Sequence, residues 1–162
     1  MATDSPRPMP AAQLRLRQER IEGIAASSGF MGKVEYRHVY SQTGGAQYCR
    51  GSTEEQDVPT VYAEAFEREE NPEDFSLEAI IAHERGHQIL ARHPRLAKRV
   101  IGLSVSSEEV LASLVGAIVC REEKDRVTLY AKATAELLEH GQSGEEATRR
   151  IQELWDLLVM LL

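Results

Sequence analysis

An α+β fold is predicted by three features of the sequence. An alternating stretch over Lys33–Tyr40 leads into a Gly44-Gly45 pair, and a second apolar run lies at Thr60–Phe66. Long stretches with apolar residues at helical spacing, several opened or closed by capping residues, flank these runs. No internal repeat or linker divides the 162 residues, so one domain over residues 11–162 is expected behind a short arm over residues 1–10. The predicted order is an N-terminal helix, a small antiparallel three-stranded sheet, a helix carrying polar residues, then further helices ending in an amphipathic one.

Each element has a local cause. Met1 to Pro10 contains no apolar run, so it reads as a flexible arm and not as a secretory signal. Ala11–Ala26 places Leu14, Ile21 and Ile24 on one side of a helix that Ser27-Ser28-Gly29 ends. In Lys33–Tyr40, Val34, Tyr36, His38 and Tyr40 share one face, the period of a strand. Gly44-Gly45 is a hairpin signal because primed turns need positive φ, with Ala46–Arg50 as the returning strand. Thr60–Phe66 is expected as the third strand, with Pro59 at its start or on an edge. A helix then begins at Asn71 or at Ser76 and stops before Pro94. Ser106-Ser107-Glu108-Glu109 opens a helical pattern reaching about His140, long enough that a break is expected within it. Gly141 closes it, and Ser143 with Glu146 forms a capping box for the last helix. There Ile151, Leu154, Trp155, Leu158 and Leu161 form an apolar stripe. The tail after Asp156 is apolar nearly all round, for burial in the core or for contact with a second copy as a homodimer.

Composition narrows the function classes. A 42% hydrophobic and 28% charged chain is that of an ordinary globular protein. The net charge of -7 argues against nucleic acid as a partner. Nine acidic residues lie between Glu54 and Asp74 against Arg68 alone, whereas Arg85–Arg99 is basic without acid; both read as solvated surfaces. Cys49 and Cys120 are far apart, so neither a disulfide framework nor a cysteine metal site is expected. No apolar run approaches the roughly 20 residues of a membrane span. A cytoplasmic protein with reduced thiols is the expectation.

The polar residues concentrate in Ile80-Ile81-Ala82-His83-Glu84-Arg85-Gly86-His87-Gln88-Ile89-Leu90. One helical turn separates His83 from His87, so both imidazoles can reach one metal ion. Glu84 lies beside that face, where a carboxylate can take a proton from metal-bound water. The pattern points to a zinc (Zn2+) site acting on the peptide bonds of a peptide or protein substrate; histidines without metal are the plainer reading. A catalytic zinc takes three protein ligands. His93 has the spacing of the longer His-Glu-x-x-His-x-x-Gly-x-x-His pattern, but Leu90 replaces its turning glycine. In a continuing helix His93 lies about 120° round from His87 and points away. The alternative is a glutamate of the next helix, Glu109 or the adjacent Glu108, with the small Ala112 allowing close approach. Ser106 and Glu109 also fit a capping box, which would occupy that carboxylate locally. Glu84-x-x-His87 matches half of a di-iron bundle motif, but no second copy exists.

The stretch from Thr60 to Ile118 resembles the gluzincin metallopeptidases, most closely ImmA/IrrE-type domains. The likeness is carried by Val61–Phe66, by His83-Glu84-Arg85-Gly86-His87 and by Glu109-Val110-Leu111-Ala112-Ser113, about a third of the chain. The resemblance implies His83, His87 and Glu109 as zinc ligands and Glu84 as catalytic base. It also implies an edge strand that binds extended peptide. Ser113 stands where those proteins carry Asp or Asn, a residue implied to orient a ligating histidine. A weaker, regulatory or partner-binding zinc module is therefore the second expectation. Tyr130 and His140 are candidates, by residue type, for stabilising an oxyanion.

Overall fold

Gly29 ends the first helix as its sequence requires. Helix α1 (Ala11–Ser28) stops where Gly29 adopts φ 100°, and the N–H groups of Gly29 and Phe30 return to the carbonyls of Ala26 and Ala25. A computed structural model describes residues 5–41, 43–101 and 108–162, and among these the chain is α+β. Ile21 and Ala25 of α1 are buried with Phe30 and Val34 against the sheet and the start of the central helix.

The sheet is mixed, not antiparallel as expected. Its strands are β1 (Glu35–Arg37), β2 (Ala46–Cys49) and β3 (Val58–Tyr62), in the order β1-β3-β2. β1 runs parallel to β3 with Tyr36 opposite Val61, and β2 runs antiparallel to it with Gln47 opposite Thr60. Gly44 and Gly45 have the predicted positive φ of 89° and 115°. They do not fold β1 back onto β2, however. The Gly45 carbonyl accepts from the Tyr62 N–H at 2.8 Å, so the pair leads β2 onto β3. β3, buried at Pro59, Thr60 and Val61, takes the centre, while β1 and β2 are largely exposed. Pro59 is tolerated there because it faces Tyr48 at a position where antiparallel partners exchange no hydrogen bond.

Two further boundaries move. β3 ends at Tyr62, and Ala63–Glu69 is helix α2. The second half of the apolar run expected as strand is a stretch of good helix formers whose buried residues are Ala63, Ala65 and Phe66. The acidic stretch Glu54–Asp74 therefore includes β3 and α2. The first strand is confined to three residues, although Val34, Tyr36 and His38 keep the predicted inward side.

The central helix α3 (Leu77–Arg92) starts at Ser76, whose hydroxyl accepts from the Ala79 N–H, and ends at His93. Pro94 opens a separate helix, α4 (Pro94–Ile101), which periodicity did not reveal. The Ser106 cap lies outside the described residues. The long pattern breaks into α5 (Glu108–Val119) and α6 (Glu123–Glu139). Arg126 donates to the carbonyls of Ala117 and Cys120, which α5 leaves free at its end. Helix α7 (Gly144–Leu161) starts at Ser143, which accepts from the Glu146 N–H. Ile151, Leu154 and Leu158 are buried in the helical core with Leu111 and Leu114, each such side chain contributing about 1.5–3 kcal/mol. Val159, Met160 and Leu162 remain exposed. None of the described helices is long and apolar enough to cross a membrane.

Candidate metal centre

α3 packs most extensively on α5, and glycine makes the contact close. A methyl group on Gly86 would stand 2.0 Å from the Ala112 carbonyl oxygen, and one on Gly116 2.5 Å from that of Ala82. Backbones that approach this closely bring the first turn of α5 opposite the one-turn histidine pair of α3.

Three side chains converge there. His83 Nε2 lies 2.8 Å from Glu109 Oε2 and 3.1 Å from His87 Nε2, and His87 Nε2 lies 3.1 Å from Glu109 Oε1. Donor atoms of His83, His87 and Glu109 all fall within 4.8 Å of one another, a group that can hold a metal ion. Four ligands at about 2.1 Å in a tetrahedron stand about 3.4 Å apart, so small outward movements would admit the ion. The donor chemistry, two imidazoles and one carboxylate, fits a divalent transition metal.

The other ring nitrogens are also engaged. His83 Nδ1 lies 2.9 Å from the Ser113 hydroxyl, the contact that the position of Ser113 suggested. His87 Nδ1 lies 3.2 Å from Glu108 Oε1. Glu108, weighed as the third ligand, instead stands behind His87. Such partners hold a ring in the orientation in which its free nitrogen faces a metal.

Burial and charge set the protonation of the group. Burial pushes His83 down to about 4. It would lower His87 too, but Glu109, Glu84 and Glu108 outweigh it and raise His87 to about 9. The two imidazoles hold the Glu109 carboxyl well below the carboxylate range against its burial. Glu84 is 8% exposed, and burial pushes it up to about 7 despite the nearby positive charges and the Tyr48 backbone N–H. A carboxyl at this value can both accept and return a proton near neutrality.

The group opens into a cleft of about 280 Å³ lined by His83, Glu84, His87 and Glu109, by β2 residues Ala46, Gln47 and Tyr48, and by Arg68, Phe75 and Lys132. The edge strand beside it is thus β2, not the strand that immediately precedes the site helix. Since Gly45 is bonded to β3, Ala46 and Tyr48 turn their backbone groups away from it.

The remaining candidates lie elsewhere. His93 is exposed at the end of α3. The Tyr130 hydroxyl donates to Gln152, with its ring against Trp155. His140 is exposed at the end of α6. Lys132 was not singled out in the sequence; the available signal was its place three residues after Leu129, beside the buried side of α6. No family model, curated protein or solved structure matches this chain, so what the centre can do is read from its own residues.

Proposed function

We propose that the protein is a zinc-dependent peptidase that hydrolyses peptide bonds of a peptide or protein substrate. The observation that carries this reading is the convergence of His83, His87 and Glu109 with buried Glu84 at the floor of one cleft. Two histidines and one glutamate form a ligand set used by catalytic zinc, which leaves a position for water. Bound there, zinc supplies a Lewis acid that acidifies water and polarises a carbonyl. Glu84 takes the proton of the attacking water and returns it to the leaving amine. The outward backbone groups of Ala46 and the carbonyl of Tyr48 can pair with an extended peptide and lay its carbonyl over the cleft. The resemblance to gluzincins supports the same roles for the same residues.

The test is Glu84→Gln, which keeps the side chain's size and removes the base. Elemental analysis should find zinc in both proteins, and cleavage of a fluorogenic peptide library should fall by roughly 10²–10⁴-fold in the variant. Equal cleavage by the two proteins ends the peptidase reading.

A second reading, a zinc-bearing module that binds a partner without cleaving it, is favoured by the outer side of α7. Val159, Met160 and Leu162 are 50%, 71% and 50% exposed there, suited to contact with another chain, a second copy included. Zinc without cleavage of any library member, together with a dimer in sedimentation, selects it.

A further inference from the structure

One arginine and one lysine line the cleft, and they are not equivalent. Arg68 and Lys132 both approach the Phe75 ring, with Arg68 Cζ 4.8 Å and Lys132 Nζ 5.1 Å from its centroid. Arg68 is neutralised: it binds Asp74 at 2.8 Å and donates to the Gly44 carbonyl at 2.6 Å, bracing the start of β2. For Lys132, among the described residues, the contact found is the ring itself, and no carboxylate lies within ion-pair reach. Of the carboxylates at the centre, Glu109 is engaged by both histidines and Glu108 by His87, and Glu84 meets Lys132 only through longer-range attraction. Lys132 is therefore a partly buried positive charge, lining the same cleft as Glu84, with no counter-ion in contact with it among the described residues.

Its position decides what that counter-ion is. Phe75 precedes the first turn of α3, and His83 lies two turns further on, about 10 Å along the axis. The ammonium thus rests on the ring that precedes α3, in the same cleft as the histidines but not in hydrogen-bond contact with them. That placement suits a group one or two residues along a bound peptide better than the oxyanion formed at the scissile carbonyl.

We propose that Lys132 is a specificity-determining residue that selects peptides carrying a carboxylate next to the bond held at the metal centre. The carboxylate is an acidic side chain or the chain's own terminus, and both offer the same oxygen pair to the ammonium. The proposal rests on the zinc reading given above.

The test uses three hydroxamates built on malonic monohydroxamate and titrated into the zinc-loaded protein by calorimetry. The first is coupled to alaninamide and is neutral, the second to alanine with a terminal carboxylate, the third to aspartic acid amide with a side-chain carboxylate. At least one acidic member should bind tenfold or more tightly than the neutral one, and which does so identifies the source of the carboxylate. Lys132→Met should abolish that advantage while leaving zinc content and the neutral ligand's affinity unchanged. Lys132→Arg should keep it. Zinc present with all three ligands alike or none bound, or with the advantage retained in Lys132→Met, overturns the role of Lys132. A protein that neither contains zinc nor takes it up overturns the metal reading instead.

Discussion

The Ser113 hydroxyl stands 2.9 Å from His83 Nδ1 inside the core, where no water competes for the contact. A carboxylate in that place would pull on the imidazole proton; a neutral hydroxyl only orients the ring. Ser113→Ala should therefore weaken zinc binding by roughly 10–100-fold. It should also cost about 1–3 kcal/mol of stability, because a buried ring nitrogen loses its partner. Competition with a chromophoric chelator measures the first effect and urea unfolding the second; unchanged zinc affinity would mean that packing alone orients His83. At this scale the group of side chains that meet was legible because His83 and His87 are one turn apart on a single helix, and because Leu90 turns His93 away. Glu109 could be named but not separated from Glu108, since a shift of one residue changes which carboxylate faces the pair. The stations of Glu108 behind His87 and of Lys132 on Phe75 depend on how α5 and α6 cross α3, which no local pattern encodes.

The α3–α5 crossing is the element-scale counterpart, and glycine substitutions probe it with opposite signs. In Gly86→Ala, helix propensity favours alanine by about 1 kcal/mol. The new methyl, however, meets a backbone carbonyl of α5 at 2.0 Å, which can yield only if the helices part. Overpacking of this kind costs about 1–3 kcal/mol or more, so Gly86→Ala should be destabilising and should lower zinc affinity by moving Glu109 from the histidines. Gly23→Ala in α1 meets nothing within 4 Å and should stabilise by about 0.5–1 kcal/mol without touching zinc binding. Urea midpoints and zinc titrations of the two variants together separate a helix effect from a crossing effect. Element ends marked by caps, such as Gly29, Ser76 and Ser143, were legible because the capping hydrogen bonds are local. The strand order was not. The Gly44-Gly45 signal is correct in dihedral angle and silent on whether β1 or β3 receives the returning strand, a choice made by packing over long range.

Across the whole molecule, charges that read as two solvated patches are partly joined to each other. Asp57, from the acidic stretch, is fully buried and accepts from Arg92 Nε at 3.0 Å, Gln88 Nε2 at 3.0 Å and the Gly51 N–H at 2.7 Å. Arg85 meets Glu54 at 3.5 Å. The basic side chains of α3 thus pin the segment between β2 and β3, so the edge strand and the metal centre share one helix as a frame. Burial by itself would raise the Asp57 carboxyl, but these donors outweigh it and hold it well below the usual range. Since the folded-state value is depressed, the contribution is fully present above the unfolded value of about 3.9 and is lost as the pH falls below it. Asp57→Asn removes the charge and strands Arg92, 14% exposed, at a cost toward the lower end of the roughly 3–5 kcal/mol seen when one partner of a buried pair is removed. Urea unfolding at pH 7 should show that full loss, and at pH 3 the gap between the two proteins should be smaller, because below about 3.9 the unfolded wild-type chain gains a proton on Asp57 that the folded one does not yet take. A gap unchanged between the two pH values would mean that Asp57 contributes its shape and hydrogen bonds, but not its charge.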